Sequence, residues 1–91
     1  MNPSGLVALI TGGKRIGAVV ATTLAKAGVH IALVYNRSRA EADETAAAVR
    51  ALGRRAFVVQ ADVSNEQQCI DAVNATVREL GRIDILINMN A

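Results

Sequence analysis

An open α/β sheet of four parallel strands joined by three crossover helices is the fold this sequence predicts. Two patterns carry the prediction. Short, solid apolar runs alternate with longer segments in which apolar residues recur three or four positions apart. Strands apolar on both faces belong in a parallel sheet covered on both sides, and right-handed crossovers then favour a doubly wound arrangement. The chain has 91 residues, 52% hydrophobic and 20% charged, with a net charge of +2. That balance excludes intrinsic disorder and suits a single unit spanning 1–91.

The elements follow in order. Leu6 to Ile10 is the first apolar run, and Thr11-Gly12-Gly13 is the turn after it. From Ile16, the residues Ile16, Val20, Leu24 and Ala27 mark one face of a helix that Gly28 stops. Ile31 to Tyr35 is the second run. Ser38 with Glu41 forms a capping-box pattern for a helix carrying Ala42, Ala46, Val49 and Leu52, stopped at Gly53. Ala56-Phe57-Val58-Val59 is the third run. Ser64 with Gln67 repeats the cap, and Ile70, Val73, Val77 and Leu80 form the third helical stripe as far as Gly81. Ile85-Leu86-Ile87 is the fourth run.

Several function classes drop out on composition. No apolar run approaches the roughly 20 residues of a membrane-spanning helix, and Met1-Asn2-Pro3-Ser4-Gly5 has no charged lead into an apolar segment. The single cysteine, Cys69, forms no internal disulfide, so a reducing, cytoplasmic setting is expected. Ten basic residues are interspersed with eight acidic ones, beside one Tyr, one Phe and no Trp. This is a poor nucleic-acid surface, with neither a basic arm nor a stacking platform.

Ligands of such a sheet bind beyond the carboxyl ends of the strands, near the point where strand order reverses. Four segments are expected to converge there: Thr11–Gly17, Tyr35–Arg39, Ala61–Ser64 and Asn88–Ala91. The turn Gly12-Gly13-Lys14-Arg15-Ile16-Gly17 follows a strand and opens a helix. Its glycines let the main chain approach a diphosphate, and the helix N-terminus offers free N–H groups. It is not a P-loop, because Arg15 stands where Ser or Thr would follow Lys14.

At the end of strand two, Asn36-Arg37-Ser38 brings no carboxylate for a ribose hydroxyl, and none lies between His30 and Arg39. Arg37 and Ser38, with Lys14 and Arg15 nearby, suit the 2′-phosphate of NADP(H) better than NAD(H). The plainer alternative makes Arg37 a solvated turn residue and Ser38 a helix cap. Asp62 is read either as an acceptor for an adenine amino group, with Val63 packing on the ring, or as a cap on the approach to helix three. Cys69 reads as a small core residue, Arg54-Arg55 as a solvated turn, and Met89 as a strand-end contact near the cofactor. His30 is given no role and no metal site is expected.

Four ordered motifs together resemble the amino-terminal half of the short-chain dehydrogenase/reductase family. They are Thr11-Gly12 through Gly17, Asn36-Arg37-Ser38, Asp62-Val63, and Gly81-Arg82-Ile83-Asp84 leading to Ile85-Leu86-Ile87-Asn88. Arg15-Ile16-Gly17 and Tyr35-Asn36-Arg37-Ser38 are most similar to pteridine-reductase-like and other NADP(H)-preferring members. The resemblance implies a Rossmann-like sheet, incomplete relative to the family, with a nicotinamide dinucleotide as partner. Two departures stand out. The glycine turn is one residue shorter than the family's, and Asn88-Met89-Asn90-Ala91 carries a residue interposed in the family's Asn-Asn-Ala-Gly. Either Asn88 or Asn90 then takes the structural asparagine's place.

The family's catalytic Ser and Tyr-x-x-x-Lys lie beyond strand four, and here Tyr35 is followed by Arg39 rather than Lys. No catalytic residue is therefore assigned. The resemblance implies the NADP(H)-binding portion of an oxidoreductase that transfers hydride to or from a carbonyl or imine, a pterin among the candidates, and that is inactive by itself. The alternative is a small non-enzymatic nucleotide-binding or dimerising module. Strand four, an Ile-Leu-Ile edge, is expected to support self-association.

Overall fold

A computed structural model describes residues 4–12 and 14–89 and, of Lys14, the main chain. Strands β1 (Val7–Gly12), β2 (His30–Tyr35), β3 (Ala56–Gln60) and β4 (Ile85–Met89) alternate with helices α1 (Lys14–Lys26), α2 (Arg39–Ala51) and α3 (Glu66–Leu80). The sheet is parallel in the order β3-β2-β1-β4, with Val7 beside His30, Ala8 beside Ile85, and Ile31 beside Ala56. The chain steps outward from β1 to β3 and then returns to the far side of β1. Strand order therefore reverses between β1 and β4, as in a doubly wound Rossmann-like sheet.

Two cores flank the sheet. Ala8, Ile10, Ile31 and Leu33 meet Ala21, Ala25, Ala46 and Val49 beneath α1 and α2. Val7, Leu9, Ala32 and Val34 meet Ala61, Ala72 and Leu80 on the α3 side. Burying a side chain such as Ile10 or Ile31 stabilises the fold by about 1.5–3 kcal/mol. The expected two-sided cover holds for β1 and β2 and fails at β4. There Ile85 and Ile87 are half-buried while Leu86 is 67% exposed, because α3 packs over β2 and β3 and leaves β4 bare on that side.

Helix faces are also rotated from the expected stripes. In α1 the buried positions are Gly17, Ala21 and Ala25, whereas Ile16 is 66% exposed and Ala27 is exposed. Small residues win because they let the helix axis come close to the sheet. In α3 the buried positions are Ala72, Thr76 and Leu80, and Ile70, Val73 and Val77 form an exposed flank. The Thr76 hydroxyl donates to the Ala72 carbonyl at 2.8 Å, which lets this polar residue be buried. In α2 the inner face is Ala42, Thr45, Ala46 and Val49, and Leu52 is the C-cap rather than part of the stripe.

Both caps differ from expectation. Ser38 occupies the N-cap of α2 without a side-chain cap bond, and its carbonyl takes the Ala42 N–H at 3.3 Å. Asn65, not Ser64, caps α3, its Oδ1 accepting from the Gln68 N–H at 3.0 Å.

Arg54 and Arg55 are not a free turn. The Arg54 Nε donates to the Ala25 carbonyl near the end of α1 at 3.1 Å, and the Arg55 guanidinium donates to the Glu79 carbonyl near the end of α3. One turn thus satisfies terminal carbonyls of helices on opposite faces of the sheet. Among the described residues, no helix is long and apolar enough to cross a membrane.

Candidate functional site

A groove of about 380 Å³ opens at the carboxyl ends of β1 and β2. Its walls come from Gly12 and Met89 at two strand ends, Gly17 and Ala18 in α1, the tip Tyr35-Asn36-Arg37-Ser38, and Glu41, Ala42 and Thr45 along α2. Each part has a local cause. Gly12 leaves β1 with φ +67°, a conformation that strains any residue with a Cβ. A Cβ on Gly17 would lie 2.9 Å from the Gly12 carbonyl oxygen, so the first turn of α1 sits on the strand end only because Gly17 has none. That helix carries no acidic residue in its first turn, so its own first turn does not offset its positive end.

The tip after β2 is held from the side. Gln60 Nε2 donates to the Asn36 carbonyl at 3.3 Å, and the Ala61 N–H donates to the Tyr35 carbonyl at 2.9 Å. Arg39 pairs with Asp43 at 3.4 Å, and its Nη1 lies 3.5 Å from the Tyr35 hydroxyl. The Arg37 guanidinium makes no hydrogen bond or ion pair among the described residues, yet its charge reaches Asp62. Ser64 holds the Asp62 carboxyl below the usual carboxylate range: the Ser64 hydroxyl donates to Oδ1 at 2.7 Å and the Ser64 N–H at 3.0 Å, with Arg37 adding to the effect.

Of the residues expected at the site, Gly12, Gly17, Asn36, Arg37 and Ser38 line this groove. Arg15 and Ile16 are exposed on the first turn of α1 and do not line it. Gly13, the Lys14 side chain and Asn90 lie outside the described residues. Val63 and Asn88 instead line a second groove of about 220 Å³ on the α3 side, with Leu9, Val73 and Leu86. Asp62 lines neither; its carboxylate serves the turn into α3. Asn88 Oδ1 accepts from the Thr11 hydroxyl at 3.0 Å, tying β4 to β1 beside the reversal point.

Cys69 is half-buried in the second groove, where its thiol donates to the Val63 carbonyl at 3.3 Å. Sequence reasoning missed Ala18, Glu41, Ala42 and Thr45 as lining residues. Their signal was the helical spacing of Ala42 and Thr45, which also fits ordinary core packing.

A glycine-cradled strand end, a helix N-terminus and a cationic tip define a doubly wound sheet with a nucleotide-sized groove at its switch point. The family model described as short chain dehydrogenase matches residues 6–91, and the chain belongs to that family. It is 42% identical over 89 residues to the short-chain dehydrogenase/reductase homolog YusS of Bacillus subtilis, covering 97% of this chain and 82% of that protein. General stress protein 39 of the same organism is 45% identical over 85 residues, which is 92% of this chain but 30% of that one.

Among solved structures, a short-chain dehydrogenase/reductase from Serratia marcescens superposes with a TM-score of 0.88 at 34% identity, over 97% of this chain and 36% of its own. A xylitol dehydrogenase with NAD⁺ bound superposes with a TM-score of 0.86 at 36% identity, over 94% and 33% respectively. The chain therefore spans most of one relative and about a third of the others.

Proposed function

We propose that the chain is the NADP(H)-binding portion of a short-chain oxidoreductase. The observation that carries this reading is the groove wall at the end of β2, where Arg37 and Ser38 stand and no carboxylate lies between His30 and Arg39. A 2′-phosphate is attracted by the Arg37 guanidinium, and the tip itself offers the ribose hydroxyls of NAD(H) no acidic partner, the carboxylate of this groove wall being Glu41 on α2. Gly12 and Gly17 would admit the diphosphate to the N-terminus of α1, together with Gly13, Lys14, Arg15 and Ile16 of the same turn. Asp62 and Val63 would face the adenine, and Asn88 or Asn90 would support the turn after β4.

When bound, the dinucleotide carries the hydride, and the reaction of the whole protein is transfer to or from a carbonyl or imine, a pterin among the candidates. The residues of this chain bind and orient; none is assigned to proton transfer, and Tyr35 belongs to the adenosine end. The reading includes a cytoplasmic setting, consistent with a lone thiol. It also includes self-association through β4, whose edge carries unpaired main chain and an exposed Leu86.

Calorimetric titration with NADP⁺ and NAD⁺ tests the coenzyme preference. The wild-type chain is expected to favour NADP⁺ by about tenfold or more, a difference of about 1.4 kcal/mol, and Arg37→Asp is expected to abolish that preference. A preference for NADP⁺ that survives the substitution overturns the reading. The chain alone is expected to oxidise no NADPH with carbonyl or pterin substrates, and robust turnover would contradict it. A second reading, a non-enzymatic nucleotide-binding module, is favoured by one finding: the chain covers 82% of YusS. A monodisperse, cooperatively melting dimer would support that module over a portion of a larger enzyme.

A further inference from the structure

The α2 wall of the groove brings a charge that a phosphate site does not call for. Among the described residues, Arg37 and Glu41 are the charged side chains that line the groove, one of each sign, and they form no ion pair with each other. Ser38 and Glu41 have the spacing of a capping box, in which the hydroxyl takes an N–H of the first turn and the carboxylate takes the Ser38 N–H. Neither bond forms: Ser38 makes no side-chain cap bond, and the Glu41 carboxylate has no hydrogen bond or ion pair among the described residues. One turn further on, Thr45 donates its hydroxyl to the Glu41 carbonyl at 3.1 Å rather than to the carboxylate. Arg39, the neighbouring cation, is paired with Asp43 at 3.4 Å. The Glu41 carboxylate is thus left to the groove.

A carboxylate in this wall acts on the two dinucleotides with opposite sign. It accepts a hydrogen bond from a ribose hydroxyl, and it repels a 2′-phosphate. We propose that Glu41 sets the margin between the two coenzymes: Arg37 draws the 2′-phosphate, while Glu41 opposes it and takes the ribose hydroxyl where no phosphate is present. NAD(H) is then a weaker second ligand of the same groove rather than an excluded one. The proposal rests on the NADP(H) reading and adds to it a specificity-determining residue outside the β2 tip. Glu41 and Arg37 are both exposed, so water screens each of them and Glu41 shifts either affinity by only about threefold.

The test titrates NADP⁺ and NAD⁺ into the full 91-residue chain and into Glu41→Gln, Glu41→Lys and Glu44→Gln, with thermal melts as the folding control. Glu44 is exposed on the same helix and does not line the groove, so its substitution removes the same charge without touching the site. Glu41→Gln is expected to tighten NADP⁺ about threefold and to weaken NAD⁺ about threefold, which raises the preference about tenfold. Glu41→Lys is expected to raise it further, and Glu44→Gln to stay within about twofold of wild type. An unchanged preference in a folded Glu41→Gln or Glu41→Lys overturns the proposal. An unchanged NAD⁺ constant in Glu41→Gln also overturns it, because the carboxylate would then hold no hydroxyl. A gain in Glu44→Gln equal to that of Glu41→Gln overturns it as well, by making net charge the cause. If neither dinucleotide binds, the NADP(H) reading falls and takes the proposal with it, whereas an unmoved preference leaves that reading standing.

Discussion

The two ends of the sheet are built to opposite rules. At the amino end, charged side chains are tied to the main chain: Arg50 donates to the Ala56 carbonyl at 3.0 Å, Arg54 to Ala25, and Arg55 to Glu79. There Asp84 accepts from the Val7 N–H at 2.8 Å while Arg82 pairs with it at 2.6 Å. At the carboxyl end, Arg37 is left without such a tie, and glycines replace side chains where the backbone comes close. Charges thus serve folding at the amino end, whereas at the carboxyl end Arg39 and Asp62 are tied to Asp43 and Ser64 and Arg37 alone of these has no such tie among the described residues. Substitutions at the amino end should cost stability and spare binding, and those at the carboxyl end should do the reverse.

Gly17 is where that separation is expected to break, with the largest effect. A methyl group there meets backbone at 2.9 Å, so Gly17→Ala must push α1 off the strand end. Denaturant melts should show a loss of about 1–3 kcal/mol, and titration should show nucleotide affinity down by tenfold or more. A variant with wild-type stability and affinity would mean that the close approach is not required. Arg54→Ala should cost about 0.5–1.5 kcal/mol by removing one of two donors to the Ala25 carbonyl, which keeps the Gly28 N–H at 3.0 Å. Its nucleotide affinity should stay within twofold of wild type, and a large loss would erase the distinction between the ends. Arg37→Asp is the mirror case, expected to change stability by less than about 0.5 kcal/mol while removing the NADP⁺ preference.

Smaller effects lie in pH. His30 Nδ1 accepts the Arg55 N–H at 2.9 Å, which requires that nitrogen to be unprotonated. Burial, followed by the charges of Arg55 and Arg54, holds the imidazole below its ordinary value. The unfolded chain therefore binds the proton more readily, and stability should decline as pH falls through about 6.5 toward the folded value. His30→Gln should flatten that part of the pH–stability curve, and an unchanged slope would assign it to other groups. In more acidic solution, Asp84, lowered chiefly by its bond to Arg82 and then by the Val7 N–H, should behave likewise. Its contribution is present above the ordinary carboxylate range and is lost as pH falls through it, so Asp84→Asn should reduce stability at neutral pH with a smaller acid-side slope.

The architecture was legible in the sequence because strand and helix periods differ and the glycine stops fall where they should. All seven elements follow from that. Which face of each helix turns inward was less legible: Ile16 and Val73 carry more apolar surface than Gly17 and Ala72, but closeness to the sheet selects the smaller residue. The polar ties of Arg54, Arg55 and His30 were hidden because their partners are main-chain carbonyls and N–H groups, which leave no mark in a side-chain pattern. At the groove, the glycine turn and the Arg37 tip were readable from type and order alone. The parts supplied by α2, such as Glu41, depend on how that helix rotates about its axis.

Amide chemical-shift mapping of the chain with adenosine 2′,5′-bisphosphate tests the division between the two ends most directly. Saturable shifts are expected at Gly12, Gly17, Tyr35 to Ser38 and Met89, with Leu52 to Arg55 and Gly81 to Asp84 unmoved. Shifts centred on the amino-end turns, or on Val63, Val73 and Leu86 in the second groove, would contradict it.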